Sequence, residues 1–237
     1  TRADSTAGIR ATRAAIVACD LLALADATLL AAREAIATAI GTTPDHVMVA
    51  CTHTHSGPAT VFLHQCGEVD PAYVATLPEA LCEVAVAAAA RLEPVRVAAG
   101  LGDLPEGAFN RRVSGPAPDT SIGVVRLTRP GGSALATLLT YGCHPVIMGH
   151  DNLLISADYP GVAVRTVAET LGGSAFFLTG ACGDVNPARR GTFAEVTWLG
   201  EAVAAEAIRV ASGLGEGEVG RLCCASEVLA LPLARVP

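Results

Sequence analysis

The stretch Val47-Met-Val-Ala-Cys-Thr-His-Thr-His-Ser-Gly-Pro58 joins a compact apolar run directly to a polar cluster. The run Val47–Cys51 has the length and the β-branched content of a buried strand. Two further apolar runs, 134–141 and 175–179, also end in clusters rich in His, Asp, Asn and Gly. Because ligands in open α/β sheets bind beyond the carboxyl ends of the strands, we expect these three clusters to form one site.

The rest of the chain alternates between strand and helix patterns. Such alternation favours an α/β domain, and the turn sequence Arg129-Pro-Gly-Gly-Ser133 predicts a hairpin within it. We therefore predict a mixed β-sheet flanked by helices, with the active site at the carboxyl ends of the strands. The remaining predicted strands are 14–19, 95–101, 122–127 and 222–231, and the predicted helices are 28–40, 71–91 (which Pro78 either divides or leaves intact), 160–171 and 192–212.

Composition excludes several functional classes. The chain has 237 residues, of which 51% are hydrophobic, and its 16 basic residues are all arginines. The absence of lysine excludes a P-loop and a Schiff-base or pyridoxal-phosphate enzyme. A net charge of -7 without a basic stripe argues against nucleic-acid binding. No charge-free run of eighteen apolar residues occurs, so we predict no transmembrane span.

The two ends of the sequence suggest a partial chain. The sequence begins at Thr1 without a methionine and shows no signal-peptide pattern, and residues 231–237 are typical of the entry to a further segment. We expect one α/β catalytic domain over residues 1–237, incomplete at both ends, in which residues 213–237 lead into a C-terminal segment. The residues predict neither a cellular compartment nor an oligomeric state.

Histidines follow two of the predicted strands. His53 and His55 lie two residues apart in an extended segment, so their rings project to the same side. Both can bind a metal, or one can bind while the other moves protons. The alternative is a polar turn, although Ser56-Gly-Pro58 would fix both rings at the end of the strand. His144, at the end of a second strand, is either the third imidazole of the site or an ordinary core or surface histidine.

Other polar residues of the three clusters allow two interpretations each. Asp158 either caps a helix or orients a metal-bound histidine. Asp184 and Asn186 form either an Asx-type turn or a close approach to a ligand. Arg111 is either solvated or a clamp for an anion or a carbonyl group. Cys182 is a weak candidate nucleophile, since its segment lacks the second glycine of a nucleophile elbow.

Five short segments occur in an order that is characteristic of one enzyme family. Together they resemble the amino-terminal catalytic domain of the neutral/alkaline, non-lysosomal ceramidase family, in its bacterial type. The resemblance extends over about residues 14–237. The segments are Thr52-His-Thr-His-Ser-Gly-Pro58, Asn110-Arg-Arg112, His144-Pro145, Ser156-Ala-Asp158 with Gly161, and Gly183-Asp-Val-Asn-Pro187.

The resemblance implies a metal-dependent amidohydrolase acting on a linear amide, with a small-molecule or lipid amide as its substrate. Members of the family use zinc to cleave the N-acyl bond of ceramide. On that basis His53 and His144 would be zinc ligands, His55 would protonate the leaving amine, and Arg111 would contact the substrate or the developing oxyanion. The other matched polar residues, which we expect to bind substrate or to orient the metal ligands, are Asp158, Asp184 and Asn186.

The sequence departs from the family pattern in two places. Zinc sites of the family are completed by a Glu and a Tyr from further along the chain, and no segment here matches theirs. Asn186 stands where ceramidases have a serine, which opens the substrate class to other N-acyl amides. The alternatives to the zinc hydrolase are a non-catalytic binding domain of the same fold that has lost its metal site, and a thiol hydrolase that uses Cys182.

Overall fold

The computed structural model describes residues 12–64, 66–114, 118–230 and 232. Strands alternate with helices through most of the described chain, as the sequence pattern predicts. The elements are β1 (Ala15–Cys19), α1 (Asp26–Ile40), β2 (Val47–Cys51), α2 (Pro71–Ala89), β3 (Arg96–Asp103), β4 (Ala108–Asn110), β5 (Ser121–Thr128), β6 (Ala134–Tyr141), α3 (Asp158–Leu171), β7 (Ser174–Thr179), β8 (Val185–Pro187) and α4 (Phe193–Gly213).

The larger part of the molecule, which we call the large half, is built on a four-stranded sheet. Its strand order is β3-β5-β6-β7, antiparallel except for the parallel pair β6 and β7. Helices α3 and α4 pack against each other and against this sheet. The core between them contains three aromatic rings in edge contact, those of Tyr141, Tyr159 and Phe177. This mixed sheet with flanking helices confirms the predicted α/β class.

The smaller part, which we call the small half, consists of β1, β2, α1 and α2. Strands β1 and β2 form a parallel pair, and α1 packs on α2. Its buried cluster is aliphatic and contains no aromatic ring; Ala32, Ala37 and Ala85 lie in it beside larger side chains such as Ile36 and Leu81. A cluster of this kind buries less apolar surface per residue than the aromatic core of the large half.

Polar contacts join the two halves at the ends of their strands. The Thr179 hydroxyl donates to the Thr52 carbonyl oxygen at 2.7 Å, which links β7 to the segment after β2. The Thr54 hydroxyl donates to the Ser156 carbonyl oxygen at 2.6 Å, and the Ser156 N–H donates to the Ser56 carbonyl oxygen. The segment that carries His53 and His55 is therefore held by the large half.

Local signals in the sequence specify most element boundaries. Gly41 ends α1 in a left-handed conformation, with φ of 70°. The Asp70 carboxylate accepts from two backbone N–H groups at the start of α2, and Pro78 does not interrupt that helix. The turn from Arg129 to Ser133 connects the antiparallel strands β5 and β6.

The predicted strand over 222–231 is wrong for the described residues of that range. Residues 222–230 form no strand, and Val228 is 98% exposed. Glu218 exchanges two backbone hydrogen bonds with Val97 of the edge strand β3, and the chain then leaves the sheet. The apolar content of this segment resembles that of a strand, but no neighbouring strand pairs with it. The sequence pattern does not predict the short strands β4 and β8, because three residues are too few to show a period.

Helix α2 bears on the prediction that the chain has no transmembrane span. Among the described residues it is one helix whose length and apolar composition would allow it to cross a membrane, with a mean hydropathy of 1.4 over its most apolar window. In this fold Leu77, Leu81 and Ala85 on one side of α2 are buried. Helix α2 packs on α1 along that side, and 17% of its most apolar window is buried.

Candidate metal centre

The structure brings together two histidines from the two halves. His53 follows β2 and His144 follows β6, 91 residues further along the chain. His53 adopts a left-handed backbone conformation, with φ of 67°, which is uncommon for a residue other than glycine. Its N–H donates to the Leu21 carbonyl oxygen, and the N–H of His144 donates to that of Val185. Both rings are thereby fixed through their own backbone.

The two rings face each other through the same type of atom. The Nε2 atoms of His53 and His144 are 3.2 Å apart. The Nδ1 of His53 lies 2.8 Å from the Leu22 carbonyl oxygen, and the Nδ1 of His144 bonds to that of Cys182. Because a carbonyl oxygen only accepts, Nδ1 carries the proton in both rings. In this tautomer both rings direct an Nε2 lone pair into the same space, which a cation would stabilise.

The donor set fits a tetrahedral zinc ion. With Zn–N bonds of 2.0–2.1 Å, two nitrogen ligands on a tetrahedral zinc are about 3.3 Å apart, close to the observed separation of 3.2 Å. Histidine ligands of zinc commonly donate their other ring N–H to a backbone carbonyl group, as both do here. His53 and His144 could therefore hold zinc with little movement of either ring.

Cys182 supplies a third donor atom that the sequence analysis did not assign to the metal. Its sulfur and the two histidine nitrogens all lie within 4.8 Å of one another. Burial raises the pKa of the Cys182 thiol, so the free thiol is protonated at neutral pH and is a weak nucleophile. The geometry is more suitable for a metal ligand than for the nucleophile of a thiol hydrolase.

His55 lies beside the pair without joining it. Its ring centre is 5.1 Å from that of His53 and 5.5 Å from that of His144, and its N–H donates to the Pro145 carbonyl oxygen. His55 is exposed to solvent as a residue. Partial burial, together with the neighbouring His53 and His144 and the charges of Arg111 and Arg190, lowers the pKa of His55 to about 4.

Arg111 is positioned by the β4–β8 ladder. Its Nε and Nη2 atoms both donate to the Gly183 carbonyl oxygen, and its N–H donates to the Asp184 carbonyl oxygen at 2.7 Å. The Asp184 carboxylate accepts from the Asn110 side chain at 2.8 Å. Asp184 therefore supports the loop that carries Arg111. The Arg111 guanidinium is bound to Gly183, the residue that follows Cys182.

Asp158 supports the segment that follows His144. Its carboxylate accepts from the N–H groups of Ile147, Met148 and Tyr159. Asp158 is 2% exposed and has a left-handed φ of 56°. Its hydrogen bonds to described residues include none to a histidine ring. The carboxylate instead fixes the backbone three and four residues beyond the metal-facing imidazole.

Asn186 lies in β8, next to the residue whose carbonyl oxygen accepts from His144. Its side chain is buried, and its Oδ1 atom has no hydrogen-bond partner among the described residues. A buried amide oxygen without a partner is costly. Asn186 therefore has a buried acceptor atom that no described residue uses.

Two further features of the site carried no signal in the sequence. One is Arg190, whose Nε donates to the Val146 carbonyl oxygen at 3.2 Å and whose charge acts on His55. The other is a pocket of about 370 Å³ that reaches His53 and Cys182. No motif surrounds Arg190, and the pocket is assembled from separate segments. Its apolar lining includes Leu22, Ala23, Leu24, Leu29 and Val49.

Comparison with solved structures shows which fold this is. A neutral ceramidase from Pseudomonas aeruginosa matches with a TM-score of 0.71 over 86% of this chain, at 22% identity. The chain shares the neutral ceramidase fold. A ceramidase complexed with C2 matches with a TM-score of 0.68 over 86% of the chain, at 21% identity. This chain spans 38% and 37% of the two matched chains. No protein-family model and no curated protein sequence matches it.

Proposed function

We propose that this protein is a zinc-dependent hydrolase that cleaves an N-acyl amide, ceramide or a related acyl substrate. One observation carries the proposal: two Nε2 atoms lie 3.2 Å apart, each on a ring whose Nδ1 is held by a backbone carbonyl group. The shared fold with neutral ceramidases supports the same reaction class. Pairs of imidazoles held in this way are typical of metal ligands.

His53 and His144 would hold the metal through Nε2, with the Cys182 sulfur near enough to become a third ligand after a small movement. Catalytic zinc sites commonly have three protein ligands and keep one position for water or substrate. When bound, zinc supplies a Lewis acid that lowers the pKa of a water and polarises a carbonyl group.

The neighbouring side chains then have distinct tasks. His55, about 5 Å from both ligand rings and exposed, is placed to accept a proton from the attacking water and to pass it to the leaving nitrogen. Arg111, fixed on the Gly183 carbonyl group, is placed to bind the oxygen on which negative charge develops. Asp158 and Asp184 keep the two supporting loops in position.

The test combines metal analysis with hydrolysis. The purified protein is analysed for zinc and assayed with ceramide and with simpler N-octanoyl amides, before and after chelation. We expect about one zinc per chain, and hydrolysis that chelation abolishes and added zinc restores. Hydrolysis that survives complete removal of the metal would favour the Cys182 thiol hydrolase. Absence of both zinc and hydrolysis, even after incubation with zinc, would favour a non-catalytic binding domain.

A further inference from the structure

We propose that Cys19 and Cys51 are a redox-sensitive thiol pair, which a hydroperoxide converts to a reversible disulfide that fastens His53 in its metal-facing position. The disulfide step is independent of the proposed hydrolysis, whereas its effect on metal binding rests on the proposed metal centre. The pair would be a site of reversible covalent modification in the small half, separate from the groups assigned to catalysis.

The two thiols lie opposite each other at the ends of β1 and β2. Cys19 and Cys51 are the last residues of these strands and are direct partners in the parallel pair. Paired residues of neighbouring strands project to the same face, and such strands lie about 4.8 Å apart. The two sulfur atoms are 3.7 Å apart, and both thiols are free. Disulfides span Cα separations of about 4.4–6.8 Å, so a disulfide can form here once the sulfurs approach each other by about 1.7 Å.

The two thiols differ in how an oxidant can reach them. Both are half-buried, but Cys51 lines the pocket of about 370 Å³ that also reaches His53 and Cys182. Cys19 does not line that pocket and packs against the aliphatic cluster of the small half. A small oxidant that enters the pocket therefore meets Cys51 first, and Cys19 is placed beside it to attack the oxidised sulfur. An accessible thiol with a second thiol next to it is typical of reversible thiol oxidation.

The oxidation needs no reactants other than the two thiols and the hydroperoxide. The Cys51 sulfur attacks one oxygen of hydrogen peroxide, the O–O bond breaks, and one water leaves as a sulfenic acid forms on Cys51. The Cys19 sulfur then attacks the Cys51 sulfur and expels a second water, which completes the S–S bond. The two thiols together lose two electrons and two protons, and the peroxide is reduced to two waters. A dithiol reductant reverses the reaction by thiol–disulfide exchange.

The disulfide would join the two segments that hold His53 in place. The N–H of Thr52 donates to the Cys19 carbonyl oxygen at 2.9 Å, so a thiol-bearing residue is itself one of the backbone acceptors. The His53 N–H donates to the Leu21 carbonyl oxygen at 3.0 Å, and its Nδ1 donates to that of Leu22 at 2.8 Å. These hydrogen bonds all run from the residues after β2 to the end of β1 or the residues that follow it. An S–S bond at the base of these contacts would fix the acceptors relative to the ring.

Such a bond would stabilise the small half. In the described part of the chain its sheet consists of the parallel strands β1 and β2, and parallel pairing is slightly less stable per residue than antiparallel pairing. The Cys19–Cys51 bond would link residues that are 32 positions apart in the sequence. A cross-link of that span reduces the conformational entropy of the unfolded chain and thereby favours the folded one. Because contacts that orient a histidine ligand also affect metal affinity, a firmer hold on the His53 ring should tighten zinc binding.

The experiment maps the disulfide and measures its effect on stability and metal binding. The reduced protein is treated with one equivalent of hydrogen peroxide, free thiols are blocked with N-ethylmaleimide, and mass spectrometry of a digest locates the disulfide. We expect the Cys19–Cys51 bond, a Tm that is higher by about 5 °C or more, and reversal of both by dithiothreitol. In oxidised protein whose Cys182 stays a free thiol, we expect zinc to bind at least about threefold more tightly than in reduced protein.

Serine variants show whether the effects come from this pair of thiols. Cys19→Ser and Cys51→Ser should each abolish both the disulfide and the rise in Tm, because either one leaves a single thiol between the two strands. Cys82→Ser is the matched control, since Cys82 is a half-buried free cysteine of the same half that lies on α2. That variant should retain the disulfide and the rise in Tm.

The outcomes separate this inference from the proposed hydrolysis. Retention of both free thiols under peroxide, or a bond from Cys51 to Cys182 in the same pocket, would overturn the assignment of the pair. The expected bond without a rise in Tm, or with an unchanged zinc affinity, would overturn its role in fastening His53. A protein that binds no zinc in either state contradicts the proposed function, and the disulfide map and the Tm shift then decide this inference.

Discussion

The two halves of the molecule each contribute one histidine to the metal centre, but they hold it differently. In the large half, the Tyr159 hydroxyl donates to the Cys143 carbonyl oxygen at 2.6 Å, immediately before His144. His144 is 6% exposed and is held through both its backbone and its ring. In the small half, His53 is also held through its N–H and its ring, but it has a left-handed backbone and is less buried than His144. The large half provides a rigid support, and a bound metal would fasten the small half to it.

Loss of a metal-facing ring is expected to have the largest effect. We predict that His53→Ala and His144→Ala each lose zinc and lower kcat by about 10³-fold or more. Either substitution leaves only two of the three nearby donor atoms, and two donors cannot complete a catalytic zinc site. His55→Ala should retain zinc and lower kcat by about 10²-fold, as expected for loss of a proton-transfer group. Zinc content and turnover are measured on the same preparations.

This prediction also tests the assignment within the His-Thr-His segment. If His55→Ala loses the metal and His53→Ala retains it, the roles of the two rings are reversed. If all three variants retain zinc, the metal lies elsewhere and the two halves are not joined through it.

Core truncation should reveal how differently the two halves are packed. Leu139, in the large half, is 0% exposed, whereas Leu81, in the small half, is 6% exposed and lies in the aliphatic cluster. We expect Leu139→Ala to lower the free energy of unfolding by about 4 kcal/mol and Leu81→Ala by about 2 kcal/mol. Urea denaturation gives both values. Equal losses would show that the two cores are equally well packed.

The close approach of α3 to α4 allows a smaller and more local test. A methyl group on Gly200 would overlap Val162, with its Cγ1 at 2.7 Å, and would lie 2.9 Å from the Tyr159 carbonyl oxygen. We expect Gly200→Ala to lower the free energy of unfolding by about 2 kcal/mol through overpacking. Gly213→Ala, on the same helix with open space around it, is the control. If Gly200→Ala leaves the free energy of unfolding unchanged, α3 and α4 can move apart freely to accommodate the methyl group.

The contact between the halves should show the smallest effect. Thr179→Val removes the hydroxyl that donates to the Thr52 carbonyl oxygen, and we expect a loss of about 1 kcal/mol in unfolding free energy, with weaker zinc binding. Thr137→Val in the adjacent strand is the matched control, because the buried Thr137 hydroxyl has no partner among the described residues. That variant should be neutral or stabilising.

Thr179→Val could show the expected loss of stability and still bind zinc with unchanged affinity. That result would limit what the contact between the two halves does for the metal centre. It would show that this contact contributes to folding but does not set the position of His53 relative to His144. Competition with a zinc-binding dye measures the affinity independently of the unfolding experiment.

The sequence determined the features that depend on neighbouring residues. Apolar runs of strand length specified β2 and β6, and the glycine after α1 and the acid before α2 specified those helix ends. Parallel strands bring their carboxyl ends to one edge of a sheet, so polar clusters after β2, β6 and β7 could be expected to meet. The α/β class follows from these local patterns alone.

Only the tertiary structure decided which atoms meet at that edge. The opposed Nε2 atoms of His53 and His144, the approach of Cys182, the attachment of Arg190 to residue 146 and the apolar pocket all join segments distant in the chain. The failure of residues 222–230 to form a strand has the same origin, since a strand needs a partner as well as a pattern. Ring orientation and side-chain contacts depend on packing between the two halves, which no local pattern encodes.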